Sequence, residues 1–142
     1  MPTYFSLSEF IRSDTATARN IDNTPSWEVV DHLRELADNL LDPLRVAWGK
    51  AIRVTSGYRC TALNTAVGGS STSAHLRGYA ADLQTSGEFS AFRDFVTKWA
   101  KTSGVKFDQI IVESDGRTSW IHVGLYNSAG QQRGQLKTMV KV

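Results

Sequence analysis

The 142-residue chain is 41% hydrophobic and 21% charged, the balance of a folded globule rather than of a disordered tail. Its 16 basic and 14 acidic residues leave a net charge of +2, spread without basic runs, which argues against nucleic acid as a partner. A single cysteine, Cys60, excludes an intrachain disulfide framework, and no apolar stretch is long enough to span a membrane.

A chain of this length is expected to form one domain over residues 1–142. The first residues lack the basic start and apolar run of a signal peptide. Synthesis in the cytoplasm is therefore expected, and a substrate outside it would require another export route. Ser6 and Glu9 have the spacing of a capping box, with Phe10 and Ile11 continuing a short helix. Residues 12–23 are polar and small and read as a surface loop. Thr24 is the expected N-cap of the next helix, with Pro25 in its first turn. Val29, Leu33, Leu36, Leu40 and Leu44 then recur at helical spacing. Asp42-Pro43 should break or re-cap this helix, and Gly49 should end it.

Residues 51–55 are a β-rich run, 61–66 a helical turn and 68–73 a flexible loop. Residues 79–83 should be a strand. Thr85 and Glu88 have cap spacing ahead of a helix whose face is Phe89, Phe92, Val96 and Trp99, closed by Gly104. Residues 107–113 and 119–125 read as strands joined by a hairpin turn at Asp115-Gly116, and 136–142 as a last edge strand. Helices first and pairable strands later predict an α+β domain, with a small, mostly antiparallel sheet carrying a site on one face.

The chemistry concentrates in the stretch Ser73-Ala74-His75-Leu76-Arg77-Gly78-Tyr79-Ala80-Ala81-Asp82, which sets an imidazole and a carboxylate seven residues apart. Ser119-Trp120-Ile121-His122-Val123 adds a second imidazole on a strand. Two histidines and one carboxylate are the ligand set of a catalytic zinc site with a fourth position left for water. The remaining histidine, His32, lies on the long helix beside Leu33 and reads as structural. A cysteine nucleophile would need a histidine of its own, so Cys60 reads as a small packing residue.

Ser56-Gly57-Tyr58-Arg59, Leu63-Asn64, Val67-Gly68-Gly69, the Ser-x-His-x-x-Gly-x-Ala-x-Asp pattern ending at Asp82, and Trp120-Ile121-His122-Val123 together resemble the D-alanyl-D-alanine carboxypeptidase family of zinc peptidases. That group includes cell-wall carboxypeptidases and phage endolysins and shares its fold with the hedgehog signalling domain. The resemblance runs over about residues 5–126. It implies His75, Asp82 and His122 as Zn2+ ligands, and Arg59 as the arginine that holds a substrate carbonyl or carboxylate and steadies the oxyanion. It also implies a peptidoglycan stem peptide as substrate and a monomeric enzyme, reaching the wall by holin release or on a virion. The alternative is a non-catalytic zinc-stabilised binding module, or a virion component, of the same fold.

The general base is the open position. Many relatives carry an acid three residues before the last histidine, where this chain has Ser119. Glu113 is the first candidate, Asp115 the second, and a site with neither is the third reading. With a two-residue turn at Asp115-Gly116, Glu113 falls opposite Thr118, roughly 13 Å along the strand from His122. A wider loop shortens that separation by one or two pairs. Trp120 reads equally as groove wall or as packing, Tyr79 more as packing than as a charge stabiliser, and Ser73 as support for the loop carrying His75.

Overall fold

The computed structural model describes residues 4–140. Helix α1 (Leu7–Ile11) starts as expected, with the Ser6 backbone N–H donating to the Glu9 carboxylate at 3.3 Å. Residues 12–23 are more ordered than a loop. Ser13 accepts from the Ala16 N–H at 3.2 Å and starts helix α2 (Asp14–Ala18). The next cap also differs from expectation. Thr24 bonds to Asp22, and Ser26, past Pro25, caps helix α3 (Trp27–Leu36) through the Val29 N–H. The helical path then widens into a π turn over Ala37–Leu41 and resumes as α4 (Asp42–Trp48). Pro43 has no N–H to donate and its ring crowds the carbonyl four residues back, so the widened turn carries the chain past it without a break.

Strands β1 (Ile52–Ser56), β2 (Ala80–Thr85), β3 (Gln109–Ser114), β4 (Ser119–Gly124) and β5 (Gln135–Val140) form one sheet in the order β1-β2-β4-β3-β5. Every pairing is antiparallel except β3 with β5. This is the expected α+β architecture with a mostly antiparallel sheet. Lys141 and Val142, the end of the expected edge strand, lie outside the described residues. Helix α5 (Thr61–Ala66) follows β1, and α6 (Phe89–Thr102) follows β2. Thr85 does not cap α6; it closes β2 and donates to the Ala51 carbonyl, and Glu88 occupies the cap position.

The strands alternate, so one face of the sheet is core and the other is free for chemistry. Ala81, Leu83, Ile110, Ile121 and Val123 are buried against Leu36, Leu40 and Leu44 of the helical run and Phe92 and Val96 of α6. Asp82, Glu113, Trp120 and His122 occupy the alternate positions on the opposite face.

Candidate metal centre

His75 sits in a 3-10 turn over Ala74–Arg77 that Ser73 caps by accepting from the His75 N–H at 3.2 Å. Ser73 thus supports the loop as expected. Gly78 ends the turn at φ +80°, and a Cβ there would lie 3.0 Å from the Val29 carbonyl of α3. The turn is pinned against the long helix, where only glycine fits. The His75 ring is buried, with Nδ1 2.6 Å from the Gly57 carbonyl. A carbonyl only accepts, so Nδ1 carries the proton and Nε2 keeps its lone pair. Gly57 must also be glycine, because a Cβ would sit 2.4 Å from the Phe10 carbonyl of α1.

Asp82 on β2 pairs directly with His122 on β4, so the two side chains share one face at neighbouring positions. His122 Nδ1 lies 3.1 Å from Asp82 Oδ1, His75 Nε2 lies 3.4 Å from the same oxygen, and the two imidazole nitrogens are 3.3 Å apart. Zinc–nitrogen bonds of about 2.0–2.1 Å place the ligands of a tetrahedral ion about 3.3–3.4 Å from one another. The triangle has that size. The chemistry of the set agrees, because a lone pair on His75 Nε2 faces a carboxylate oxygen, an arrangement that a cation between them relieves. Burial pushes the Asp82 carboxyl upward; where the imidazoles are protonated instead of sharing a cation, their positive charge outweighs it and holds the group below the usual carboxylate range. His75, Asp82 and His122 therefore form a group able to hold a metal ion.

The group lies in a cavity of about 730 Å³ whose wall also includes Arg59, Glu113, Trp120 and Asp115. Arg59 donates to Ser73 Oγ at 3.3 Å, its backbone N–H donates to the His75 carbonyl, and its Nε is buried without a hydrogen-bond partner among the described residues. Burial lowers the guanidinium pKa, while the charges of Asp82 and Glu113 act to raise it.

The β3–β4 connection is wider than a two-residue turn. Ser114 pairs with Ser119, which leaves four residues in the loop. The register therefore moves: Ile111, not Gln109, lies opposite His122, and Glu113 lies opposite Trp120 rather than Thr118. Glu113 is then about 7 Å along the strand from His122, half the separation a tight turn implies. The Trp120 indole N–H donates to Glu113 Oε2 at 2.9 Å and fixes the carboxylate on the site face. Asp115 Oδ1 instead accepts the N–H groups of Arg117 and Thr118, and these backbone bonds hold its pKa down. Its carboxylate serves the loop.

Residues 3–124 match the family described as Peptidase M15. The chain belongs to the peptidase M15 family. Peptidases of this family are zinc-dependent. No curated protein matches the chain.

Elsewhere in this M15 fold, His32 is occupied structurally: Nδ1 is 2.6 Å from the Arg77 carbonyl, and the ring stacks on Tyr79 at 4.1 Å. Tyr79 packs edge-on against Tyr126 as well. Cys60 lies among the support rather than the chemistry, its N–H donating to Asn23 Oδ1 at 2.8 Å. Asn23 is a support residue that sequence reading missed. Buried, it also donates to the Ile11 and Tyr58 carbonyls, so one amide clamps both sides of Arg59 to α1. Also unforeseen is a pair on the far wall of the cavity, Asp108 with Arg133.

Proposed function

We propose that this chain is a zinc-dependent peptidase that hydrolyses peptide bonds in peptidoglycan stem peptides, as a carboxypeptidase or an endopeptidase. The observation that carries the reading is the triangle of His75 Nε2, Asp82 Oδ1 and His122 Nδ1, with edges of 3.1–3.4 Å, in a cavity that also holds a fixed carboxylate and a fixed guanidinium. His75, Asp82 and His122 would hold Zn2+. When bound there, the ion supplies Lewis acidity and lowers the pKa of a water towards neutrality.

The rest is work for the side chains. Glu113, held through Oε2 by Trp120, takes the proton of the attacking water on Oε1 and returns it to the leaving amine nitrogen. Arg59 stays charged and donates to the oxygen of the scissile carbonyl as negative charge gathers on it. The acid missing at Ser119 is thereby replaced from the adjacent strand, which favours the enzyme over a non-catalytic binding module. Action as a monomer, on a wall reached by holin release or on a virion, completes the proposal.

The test is release of new amino termini from purified peptidoglycan by wild type and by Glu113→Gln, each with its zinc content measured. Wild type should carry one zinc and cleave, and Glu113→Gln should carry zinc and cleave at least a hundred-fold more slowly, the order of a lost general base. Wild type that holds zinc and releases nothing would leave the binding-module reading standing. Equal cleavage by both would overturn only the assignment of Glu113.

A further inference from the structure

A second charged constellation lies across His122 from Glu113. Along β4, Trp120 and Gly124 flank His122 at two residues on either side, each step about 7 Å. Trp120 leads to Glu113. Gly124 leads to Asp108, whose N–H donates to the Gly124 carbonyl at 2.8 Å. Asp108 is 3% exposed, and Arg133 takes both of its oxygens, Nε to Oδ1 at 2.7 Å and Nη2 to Oδ2 at 2.9 Å. The Arg133 backbone N–H also reaches Oδ1 at 3.3 Å. The next two residues are fastened as well, Gly134 N–H to the Phe107 carbonyl and Gln135 N–H to the Asp108 carbonyl, both at 2.9 Å.

Fastening the β4–β5 loop would not by itself require this geometry to open on the site. Yet the Arg133 side chain stays 39% exposed and lines the same cavity as the His75, Asp82 and His122 group. A guanidinium carries five N–H donors in a planar fork. The pair with Asp108 uses Nε and Nη2, and Nη1 takes no part in it. One edge is locked, and the remaining donors are preorganised for a second anion. Gly124 contributes no side chain to the strand between His122 and this pair.

We propose that Arg133, locked by Asp108, binds a carboxylate of the peptide substrate close to the scissile bond. The proposal rests on the peptidase reading above. Asp108 precedes Gln109, the partner of Gly124, so it lies three residues, about 10 Å, along the sheet from His122, the span of about three residues of extended peptide. The carboxylate is therefore the substrate's C-terminus or an acidic residue within about three positions of the cleaved bond. Arg59 and Arg133 divide the work: the first meets the reacting carbonyl, the second sets which peptide lies in register.

The test is steady-state hydrolysis of three forms of one stem peptide by wild type, Arg133→Gln and Arg133→Lys. One form has all carboxylates free, one has the C-terminus amidated, and one has the internal acidic residue amidated. Wild type should show a KM about ten-fold higher for whichever amide removes the contacted carboxylate, the effect of one charge-assisted contact at a partly exposed site. Which amide does so identifies the carboxylate. Arg133→Gln should reduce that preference to within two-fold, through KM rather than kcat, with Arg133→Lys in between. Wild type indifferent to both amides, or Arg133→Gln retaining the preference, overturns the proposal. If wild type cleaves none of the three, the peptidase reading fails instead, and calorimetric binding of the same peptides decides on Arg133: equal affinities for acid and amide forms overturn it.

Discussion

Replacing Trp120 with phenylalanine isolates what fixes Glu113. The substitution keeps an aromatic ring in the cavity wall and removes one N–H donor, the indole Nε1 that reaches Glu113 Oε2 at 2.9 Å. Hydrogen bonds to charged groups are worth about 1.5–3 kcal/mol, and a half-buried carboxylate belongs at the lower end. If the whole of about 1.5 kcal/mol goes into orienting the carboxylate, kcat falls about ten-fold. The assay is stem-peptide hydrolysis with zinc content measured in parallel, because the metal group does not include Trp120 and its loading should not change. A double-mutant cycle sharpens the result. In the Glu113→Gln background, Trp120→Phe should alter kcat less than two-fold, since nothing is left for the indole to orient. Trp120→Phe turning over at the wild-type rate, or slowing both backgrounds equally, would refute the reasoning.

Asp115→Ala should lower the melting temperature by releasing the N–H groups of Arg117 and Thr118 while keeping zinc and turnover; a loss of activity matching Glu113→Gln would reverse the roles of the two acids. Asn23→Ala removes three hydrogen bonds at about 1 kcal/mol each, so about 3 kcal/mol, or roughly 10 °C in Tm for a chain of this size; a shift under 2 °C would mean the amide is no clamp. Burial raises the Asp108 pKa, but Arg133 outweighs it and holds the group below its ordinary value. Its contribution to stability is therefore full above the unfolded carboxylate value, about 3.9, and disappears as pH falls through the depressed folded value. The Tm gap between wild type and Asp108→Asn should stay level above about pH 4 and close below it; a gap that widens in acid contradicts the pairing.

The site was legible where a motif residue has a single physical reason to be there. Gly57 and Gly78 mark close approaches to α1 and α3, and the alternation of β4 puts His122 opposite the core residues Ile121 and Val123. Asp82 facing His122 follows once both are on paired strands. What stayed hidden depends on distances in sequence that carry no period. Asn23 reaches Tyr58 and Cys60 across 35 and 37 residues, and Arg133 reaches Asp108 across 25. The β3–β4 loop misled because Asp115-Gly116 resembles a two-residue turn, whereas the Asp115 carboxylate closes a four-residue loop by capping Arg117 and Thr118. Two extra residues moved Glu113 from opposite Thr118 to opposite Trp120, and with that to within one strand step of His122. In the helical part, the leucine spacing continues past Pro43, where the widened turn over Ala37–Leu41 takes the place of the expected break, and Ser13 and Ser26 outcompeted the expected loop and the Thr24 cap.

The most direct measurement is metal content by elemental analysis of the purified protein, for wild type and for His75→Ala, Asp82→Ala and His122→Ala. The triangle of ligand atoms predicts one zinc per chain in wild type, retained through dialysis against buffer, and its loss from each of the three variants while Glu113→Gln keeps it. Wild type free of zinc after refolding with the metal supplied, or any one of the three substitutions leaving stoichiometric zinc in place, would contradict the assignment of His75, Asp82 and His122 as the metal centre.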